Sequence, residues 1–251
     1  MTAISVCLAT YNGAAFVAEQ LRSILDQLTS DDEIIIVDDG SSDDTLDVVN
    51  GFEDARIRVY PNEKNVGVNE TFARAVALAT KPIIFLSDQD DVWTPGRKAI
   101  MLKAFSDPRV LVVAGNYQLI DRDGGMLNRS LAPDLKADES RSRLLNLFRI
   151  FQGSQNYYGC AMAFRTSLRA AIFPYPPKME CHDIWIGMIG VTSDAMSHIE
   201  APVLLHRVHG RNASIIRRPI LKKLASRVFL SYQLAVAVVR GSNLRRRLLV
   251  P

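Results

Sequence analysis

Residues 33–39 read Glu-Ile-Ile-Ile-Val-Asp-Asp, an unbroken β-branched run that ends in two carboxylates. Such a run is typical of a strand covered on both faces, as in a parallel sheet. Shorter apolar runs predict further strands at 4–9, 57–60 and 82–86. Apolar residues at helical spacing lie between them, at 14–28, 41–49 and 69–79. This alternation predicts an α/β fold with a Rossmann-like, mostly parallel sheet flanked by helices.

The pattern is looser beyond residue 103. We expect strands at 110–114, 159–164 and 203–206, a long loop with a short helix over 120–145, and a helix or a strand at 183–191. A basic segment with interleaved apolar residues closes the chain. The sequence therefore predicts one domain over 1–214, followed by a basic amphipathic helical tail over 215–251.

Composition excludes several classes of protein. The 251 residues are 48% hydrophobic and 23% charged, which is ordinary for a globular protein and excludes collagen-like and disordered chains. A net charge of +3 is too small to indicate a nucleic-acid partner. Three widely spaced cysteines indicate a reducing compartment. Because no leader peptide or membrane span is recognisable, we expect a cytoplasmic protein.

Polar residues follow three of the predicted strands. In open parallel sheets, ligands bind outside the carboxyl ends of the strands, so these residues are candidates for a site. Thr10, Tyr11 and Asn12 follow the first strand, Asp38 and Asp39 the second, and the fourth is followed by Asp88, Gln89, Asp90 and Asp91.

Two interpretations are open for each carboxylate group. Asp88 and Asp90 could hold Mg²⁺ or Mn²⁺ against a phosphate, or could form a solvated turn or cap the next helix. Asp38 and Asp39 could accept hydrogen bonds from a ribose or a base, while residues 41–44 cap a helix. Neither a G-x-G-x-x-G nor a Walker phosphate loop is present, which leaves a metal as the natural phosphate partner.

Four ordered motifs, at residues 5–13, 36–45, 65–67 and 85–93, resemble those of family 2 glycosyltransferases with the GT-A fold. The last motif, Phe-Leu-Ser-Asp-Gln-Asp-Asp-Val-Trp, is similar to the rhamnosyltransferase-like branch. The resemblance covers most of residues 4–215. It implies an inverting transferase that uses a nucleotide-diphosphate sugar, either dTDP-rhamnose or a UDP-sugar, with Mn²⁺ or Mg²⁺ as cofactor.

The resemblance also implies roles for individual residues. Asp183, in the Glu-Cys-His-Asp-Ile-Trp segment, would be the catalytic base, with Glu180 as its substitute; a helix cap is the alternative for Asp183. Asp90, Asp88 and His209 would hold the metal, and the adjacent Asp91 could share this work. The donor would be bound by Thr10, Tyr11, Asn12, Asp38, Asp39, Asn65, Gly67, Asp88 and Arg207. The acceptor side would include Gly159, Cys160 and Trp185.

The basic tail has two interpretations. It could dock on a membrane, where a lipid-linked acceptor would lie, or pack on the domain or on a second subunit of a homodimer. We expect a saccharide or lipid-linked acceptor and peripheral contact with the inner face of the cell membrane. Two rival functions are an idle nucleotide-sugar-binding or scaffolding domain and a metal-dependent phosphohydrolase. The phosphohydrolase would need an aspartate after the first strand, where Thr10 stands.

Overall fold

The architecture is given by a computed structural model, which describes residues 2–155, 157–179, 181–209 and 220–249, with side chains at 220–226 and 247–249 excepted. Its strands are β1 Ile4–Thr10, β2 Glu33–Asp38, β3 Ile57–Pro61, β4 Ile83–Asp88, β5 Val92–Trp93, β6 Val112–Ile120, β7 Met126–Leu127, β8 Met162–Arg165 and β9 Met196–Arg207. Its α-helices are α1 Val17–Leu25, α2 Thr45–Asn50, α3 Val68–Leu78, α4 Arg97–Ala104, α5 Arg143–Gln152, α6 Arg169–Ile172, α7 His182–Thr192 and α8 Ile220–Leu249.

The strands form one mixed sheet. Their order is β3-β2-β1-β4-β8-β6-β9-β5, with β7 paired to β6. The half built from β1 to β4 is parallel throughout, and β6 also runs parallel to β9. Strand β8 runs antiparallel to both β4 and β6, and so joins the two halves. The prediction of an α/β fold with a mostly parallel sheet and flanking helices is confirmed.

Apolar layers cover both faces of the sheet, as the β-branched run at 34–37 predicts. Ile35 and Val37 pack on one layer, and Ile34 and Ile36 pack on the other. All four side chains are fully buried. This two-sided burial brings the carboxyl ends of β1, β2 and β4 to one edge, where the polar residues that follow them meet.

The second half of the chain departs from the predicted boundaries. Strands β6 and β9 are longer than 110–114 and 203–206, because they pair with each other over most of their length despite a bulge near Gly115. The segment at 183–191, left open between helix and strand, is the helix α7. The region 120–145 holds the short strand β7, and the helix after it begins at Arg143.

The C-terminal segment is helical over α8, and this helix packs on the domain. Its buried face includes Gln233 and Ala237, and the Ala237 carbonyl accepts a hydrogen bond from Thr192 of α7 at 2.9 Å. The Arg240 guanidinium lies over the Trp185 ring at 5.4 Å. These contacts correspond to one of the two interpretations of the tail, its packing on the domain. The proposed boundary at 214/215 lies outside the described residues.

Candidate active site

A cavity of about 1300 Å³ opens at the carboxyl ends of β1, β2 and β4. Ordered loops between strands and helices form its walls, while α3 and the N-terminus of α7 close it from the side. Its lining includes most of the predicted site residues: Thr10, Tyr11, Asn12, Asp39, Asn65, Gly67, Asp88, Asp90, Asp183 and His209.

Asp38 does not line the cavity, in contrast to its predicted role in donor binding. Its fully buried carboxylate accepts hydrogen bonds from the hydroxyls of Thr10 at 2.8 Å and Ser41 at 2.6 Å. The backbone N–H groups of Gly40 and Ser41 donate to the same carboxylate. Asp38 therefore holds the turn after β2, because its hydrogen-bonding capacity is taken up inside the protein.

Asp39 lines the cavity and organises the loop opposite. Its carboxylate accepts hydrogen bonds from the backbone N–H groups of Val66 and Gly67, each at 2.9 Å, and from the Asn62 side chain at 2.8 Å. Gly67 has a φ of 92°, a conformation that favours glycine. One carboxylate thus fixes the wall that carries Asn65 and Gly67.

The loop after β1 is tied to the loop after β4. The Gln89 side chain accepts a hydrogen bond from the Tyr11 backbone N–H at 2.9 Å and donates one to the Tyr11 carbonyl at 3.0 Å. On the other side, the side-chain oxygen Oδ1 of Asn12 accepts a hydrogen bond from the Ser42 backbone N–H at 2.8 Å. The Tyr11 side chain remains half exposed at the rim of the cavity.

Carboxylates crowd the floor of the cavity. Burial, and then the charges of Asp91, Asp90 and Asp183, raise the pKa of Asp88 well above its ordinary value. Burial and Asp91 likewise raise the pKa of Asp90, against the opposing effect of His209. His209 Nε2 lies 2.8 Å from Asp90 Oδ2. Oxygen and nitrogen ligands of these types suit a divalent cation such as Mn²⁺ or Mg²⁺. Among the described residues, however, the group whose ligand atoms all lie within 4.8 Å of one another is Asp91, Cys160 and His206.

Asp91 is turned away from the other two carboxylates. It is buried, and its Oδ1 accepts a hydrogen bond from the Arg207 backbone N–H at 3.0 Å and lies 2.9 Å from His206 Nδ1. Burial alone would lower the pKa of His206, but the Asp91 carboxylate reverses this and raises it to about 9. Asp91, His206 and Cys160 form a buried group below the cavity with spacing that a metal ion could use.

Asp183 begins α7 and faces the cavity. Its Oδ1 lies 2.6 Å from His182 Nε2. Burial acts to raise the pKa of Asp183, but His182 and the backbone of Gly159 outweigh it, so the net shift is downward. The carboxylate is therefore ionised near neutral pH, as a general base must be.

His182 is itself held in place from α3. Its Nδ1 lies 3.0 Å from Asn69 Oδ1, which also accepts the backbone N–H of His182 at 3.1 Å. Both ring nitrogens of His182 therefore face oxygen atoms, and the ring lies between Asn69 of α3 and the Asp183 carboxylate.

Arg207 lies outside the cavity lining, in contrast to its predicted contact with diphosphate. Its buried guanidinium bonds to the Glu19 carboxylate at 2.5 Å, the Asp90 carbonyl at 2.9 Å and the Arg122 carbonyl at 2.9 Å. It also lies over the Phe16 ring at 5.3 Å. Arg207 therefore braces the loop after β4 from behind.

The predicted acceptor-side residues lie near the cavity without lining it. Gly159 touches Asp183 so closely that a Cβ atom there would lie 2.4 Å from Asp183 Oδ1. Cys160 is buried beside His206. Trp185 is fully buried and donates its indole N–H to the Ile172 carbonyl at 2.9 Å, so it packs in the core. Glu180 lies outside the described residues.

Several lining residues were not predicted. They include Tyr158, Asn69, Arg122, His182 and His206, and Gln89 was a candidate without an assigned role. Gln89 and His182 each stand inside a motif, next to a carboxylate that was predicted. Asn69 and Tyr158 carry no local signal, because their positions depend on contacts with residues far away in the sequence.

Residues 5–173 match the family described as Glycosyl transferase family 2, and the chain therefore belongs to the family 2 glycosyltransferases. An E. coli protein named UDP-Glc:alpha-D-GlcNAc-diphosphoundecaprenol beta-1,3-glucosyltransferase WfgD is 26% identical over 74% of this chain and 69% of its own length. An uncharacterized glycosyltransferase of Nostoc sp. is 26% identical over 83% of this chain and 66% of its own. The chain spans about two thirds of the length of these relatives.

Solved structures show the same fold. S. aureus TarS in complex with UDP-GlcNAc superimposes with a TM-score of 0.71 at 18% identity, covering 100% of this chain and 76% of that one. The mannosyltransferase PcManGT of Pyrobaculum calidifontis, in complex with GDP-Man and Mn²⁺, gives a TM-score of 0.62 at 18% identity over 94% and 73%. The expected GT-A fold is confirmed, and family membership supports a glycosyltransferase activity.

Proposed function

We propose that the protein moves a sugar, with inversion, from a nucleotide-diphosphate sugar to a hydroxyl of a saccharide or lipid-linked acceptor in surface polysaccharide synthesis. The observation that carries this proposal is the shared cavity of Asp183 and the Asp88–Asp90–His209 group. An ionised carboxylate at one side and a cation-binding group at the other suit a hydroxyl acceptor and a diphosphate leaving group.

The nucleotide would lie along the edge formed by the loops after β1 and β2. Thr10, Tyr11 and Asn12 offer one wall, while Asn65 and Gly67, held by Asp39, offer the other. A UDP-sugar is the favoured donor, because TarS binds UDP-GlcNAc and the E. coli relative is named for UDP-Glc. The dTDP-rhamnose alternative rests on the motif at 85–93.

Asp90, Asp88 and His209 would hold Mn²⁺ or Mg²⁺. Burial and the neighbouring carboxylates raise the pKa of both carboxyl groups, and a cation would relieve the repulsion between them. PcManGT, which shares the fold, contains Mn²⁺ in its complex with GDP-Man. When bound, such an ion neutralises charge on a departing diphosphate as a Lewis acid.

Asp183 would act on the acceptor. Its carboxylate takes the proton of the acceptor hydroxyl as that oxygen forms its bond to the anomeric carbon. The bond from this carbon to the diphosphate oxygen breaks, and the electron pair leaves with the nucleoside diphosphate. His182, held by Asn69, keeps the carboxylate ionised and fixes its orientation.

A panel of UDP-, dTDP- and GDP-sugars tests this function. Binding and release of free nucleotide are measured with Mn²⁺, with Mg²⁺ and in excess chelator, with and without saccharide acceptors. We expect one donor to release nucleotide only with a cation, and Asp90→Ala to lose most turnover while remaining folded. Asp134→Ala, which removes an exposed carboxylate outside the cavity, is the matched control.

Three results would contradict parts of the proposal. Full turnover in chelator would show that transfer needs no metal. Donor binding without release of nucleotide under every condition would favour an idle binding domain. Hydrolysis of simple phosphate esters in place of sugar transfer would favour the phosphohydrolase.

A further inference from the structure

Helix α5 presents an apolar stripe to solvent. Leu144 is 85% exposed and Phe148 is 57% exposed, and Phe151 is also exposed. These positions are four and three residues apart, so they share one side of the helix. The opposite side is anchored in the domain by Asn146 and Ile150, both of which are buried. The stripe is therefore a surface feature of a firmly packed helix.

Helix α8 carries a second stripe of the same kind. Val228 is 70% exposed, Tyr232 is 51% exposed and Val239 is also exposed. They stand at helical spacing, opposite the buried residues Gln233 and Ala237. Contiguous exposed apolar surface of this kind is uncommon on a protein that has no partner there.

The two stripes adjoin each other. The Arg227 guanidinium lies over the Phe151 ring at 5.7 Å and donates a hydrogen bond to the Gln152 carbonyl at 2.8 Å. This contact joins the end of α5 to the N-terminal half of α8. We call the combined surface of Leu144, Phe148, Phe151, Val228, Tyr232 and Val239 the α5–α8 face.

The α5–α8 face lies close to the cavity along the chain. Six residues separate Gln152, at the end of α5, from Tyr158 in the cavity lining, a span of at most about 20 Å. On the other side, Gln233 of α8 donates to the Lys178 carbonyl at 3.3 Å, and Lys178 Nζ lies 4.8 Å from the centre of the Phe229 ring. Lys178 precedes Asp183 by five residues. The two helices that carry the face are therefore joined to the chain close to Tyr158 and to Asp183.

The charge of α8 indicates which kind of partner the α5–α8 face could bind. Helix α8 contains seven lysine and arginine residues and no acid, and no Asp or Glu follows Glu200 in the sequence. Three of these cations contact groups of the domain: Arg227, Arg240 and Arg245. Among the α8 cations whose side chains are described, Arg246 is exposed. Two copies face to face would bring these like charges together, which is unfavourable. An anionic bilayer would accept both the cations and the apolar side chains.

We infer that the α5–α8 face docks the protein on an anionic lipid bilayer, with the stripes in the headgroup region and the cations among the phosphates. The described part of the chain contains no helix long and apolar enough to cross a membrane, so docking would be peripheral. The role of this docking, which is to bring a lipid-linked acceptor to Asp183, rests on the proposed function; the docking itself does not.

Point variants on the full chain test the inference better than removal of α8, because α8 covers α7 and the side of Trp185. The probes are vesicles of phosphatidylglycerol with phosphatidylcholine and vesicles of phosphatidylcholine alone, sedimented at low and high salt. We expect wild type to bind the anionic vesicles, less so at high salt. Leu144→Ser with Phe148→Ser, and Val228→Ser with Tyr232→Ser, should each weaken binding roughly tenfold or more.

Met126→Ser with Leu131→Ser is the matched control, since both side chains are exposed and lie outside the face. This control should bind vesicles as wild type does, and every variant should bind UDP equally well. Failure of wild type to bind anionic vesicles, or unchanged binding by both face variants, would overturn the inference. A wild-type dimer that the face variants dissociate, without vesicle binding, would assign the face to a second copy instead. Absence of donor binding by the wild-type protein would contradict the proposed function, but it would not affect the conclusion from the vesicle experiment.

Discussion

His182 Nε2 lies 2.6 Å from Asp183 Oδ1, and this contact joins an imidazole ring to the candidate base. Asn69 holds the other side of the ring, so the pair is positioned by α3 as well as by α7. The contact explains how a largely buried carboxylate remains charged. The N-cap of α7 is Cys181, so Asp183 lies in the first turn of the helix and not at its capping position.

Removal of the His182 ring should change the pH dependence of transfer. His182 lowers the pKa of Asp183, so His182→Gln should raise that pKa. The base is then protonated at higher pH, and the acid limb of kcat/KM should move upward by about one pH unit. The measurement is a pH profile of kcat/KM for both proteins at saturating metal. An acid limb at the same pH in both would show that His182 does not tune Asp183.

Gly159→Ala should impair transfer without impairing donor binding. A Cβ atom at this position would lie 2.4 Å from Asp183 Oδ1, so the carboxylate would have to move. We expect kcat to fall about 10²-fold, the usual scale for a displacement of about 1 Å, with UDP affinity unchanged. Gly51→Ala is the control, because its Cβ would meet nothing closer than 3.4 Å. A normal kcat for Gly159→Ala would place the working position of Asp183 elsewhere.

The buried His206–Asp91 pair should make stability depend on pH on the alkaline side. The pKa of His206 is about 9 in the folded protein, above its ordinary value of 6.5. The pair therefore stabilises the fold fully below pH 6.5, and this contribution is lost as pH rises through 9. In chelator, the free energy of unfolding should fall by on the order of 2 kcal/mol between pH 6 and pH 9.5.

Denaturant titrations across this range provide the check for the His206–Asp91 pair. The matched variant is His206→Tyr, whose side chain carries no charge in most of the range. The free energy of unfolding of this variant should depend less steeply on pH. A decline as steep as that of wild type would assign the effect to other groups.

The sequence predicted the sheet edge well because one rule governs it. Polar residues after buried parallel strands gather at one edge, and Asp39, Asp88 and Asp90 do so. The same rule could not separate Asp38 from Asp39. Adjacent side chains at a strand end point to opposite sides of the sheet, and the side chain of Asp38 points into the protein, where it bonds to Thr10.

Long-range contacts account for the remaining differences. The motif around Arg207 predicted that it binds the donor. In the structure its guanidinium instead bonds to Glu19, which is 188 residues away in the sequence. Helix α8 has an amphipathic pattern that fits packing or membrane contact equally well. In the structure it serves packing along Gln233 and Ala237, while Val228 and Tyr232 stay exposed. The spacing of apolar residues in the sequence does not reveal that one side of α8 is buried while apolar residues on another side stay exposed.

The most direct test of the central claim is sugar transfer by Asp183→Asn, assayed with the donor that the panel selects. Asparagine has nearly the same shape but cannot take a proton near neutral pH. The account predicts that kcat falls by ~10²–10⁴, the usual scale for loss of a general base, while donor affinity stays near that of wild type. Transfer at the wild-type rate by a correctly folded Asp183→Asn protein would contradict it.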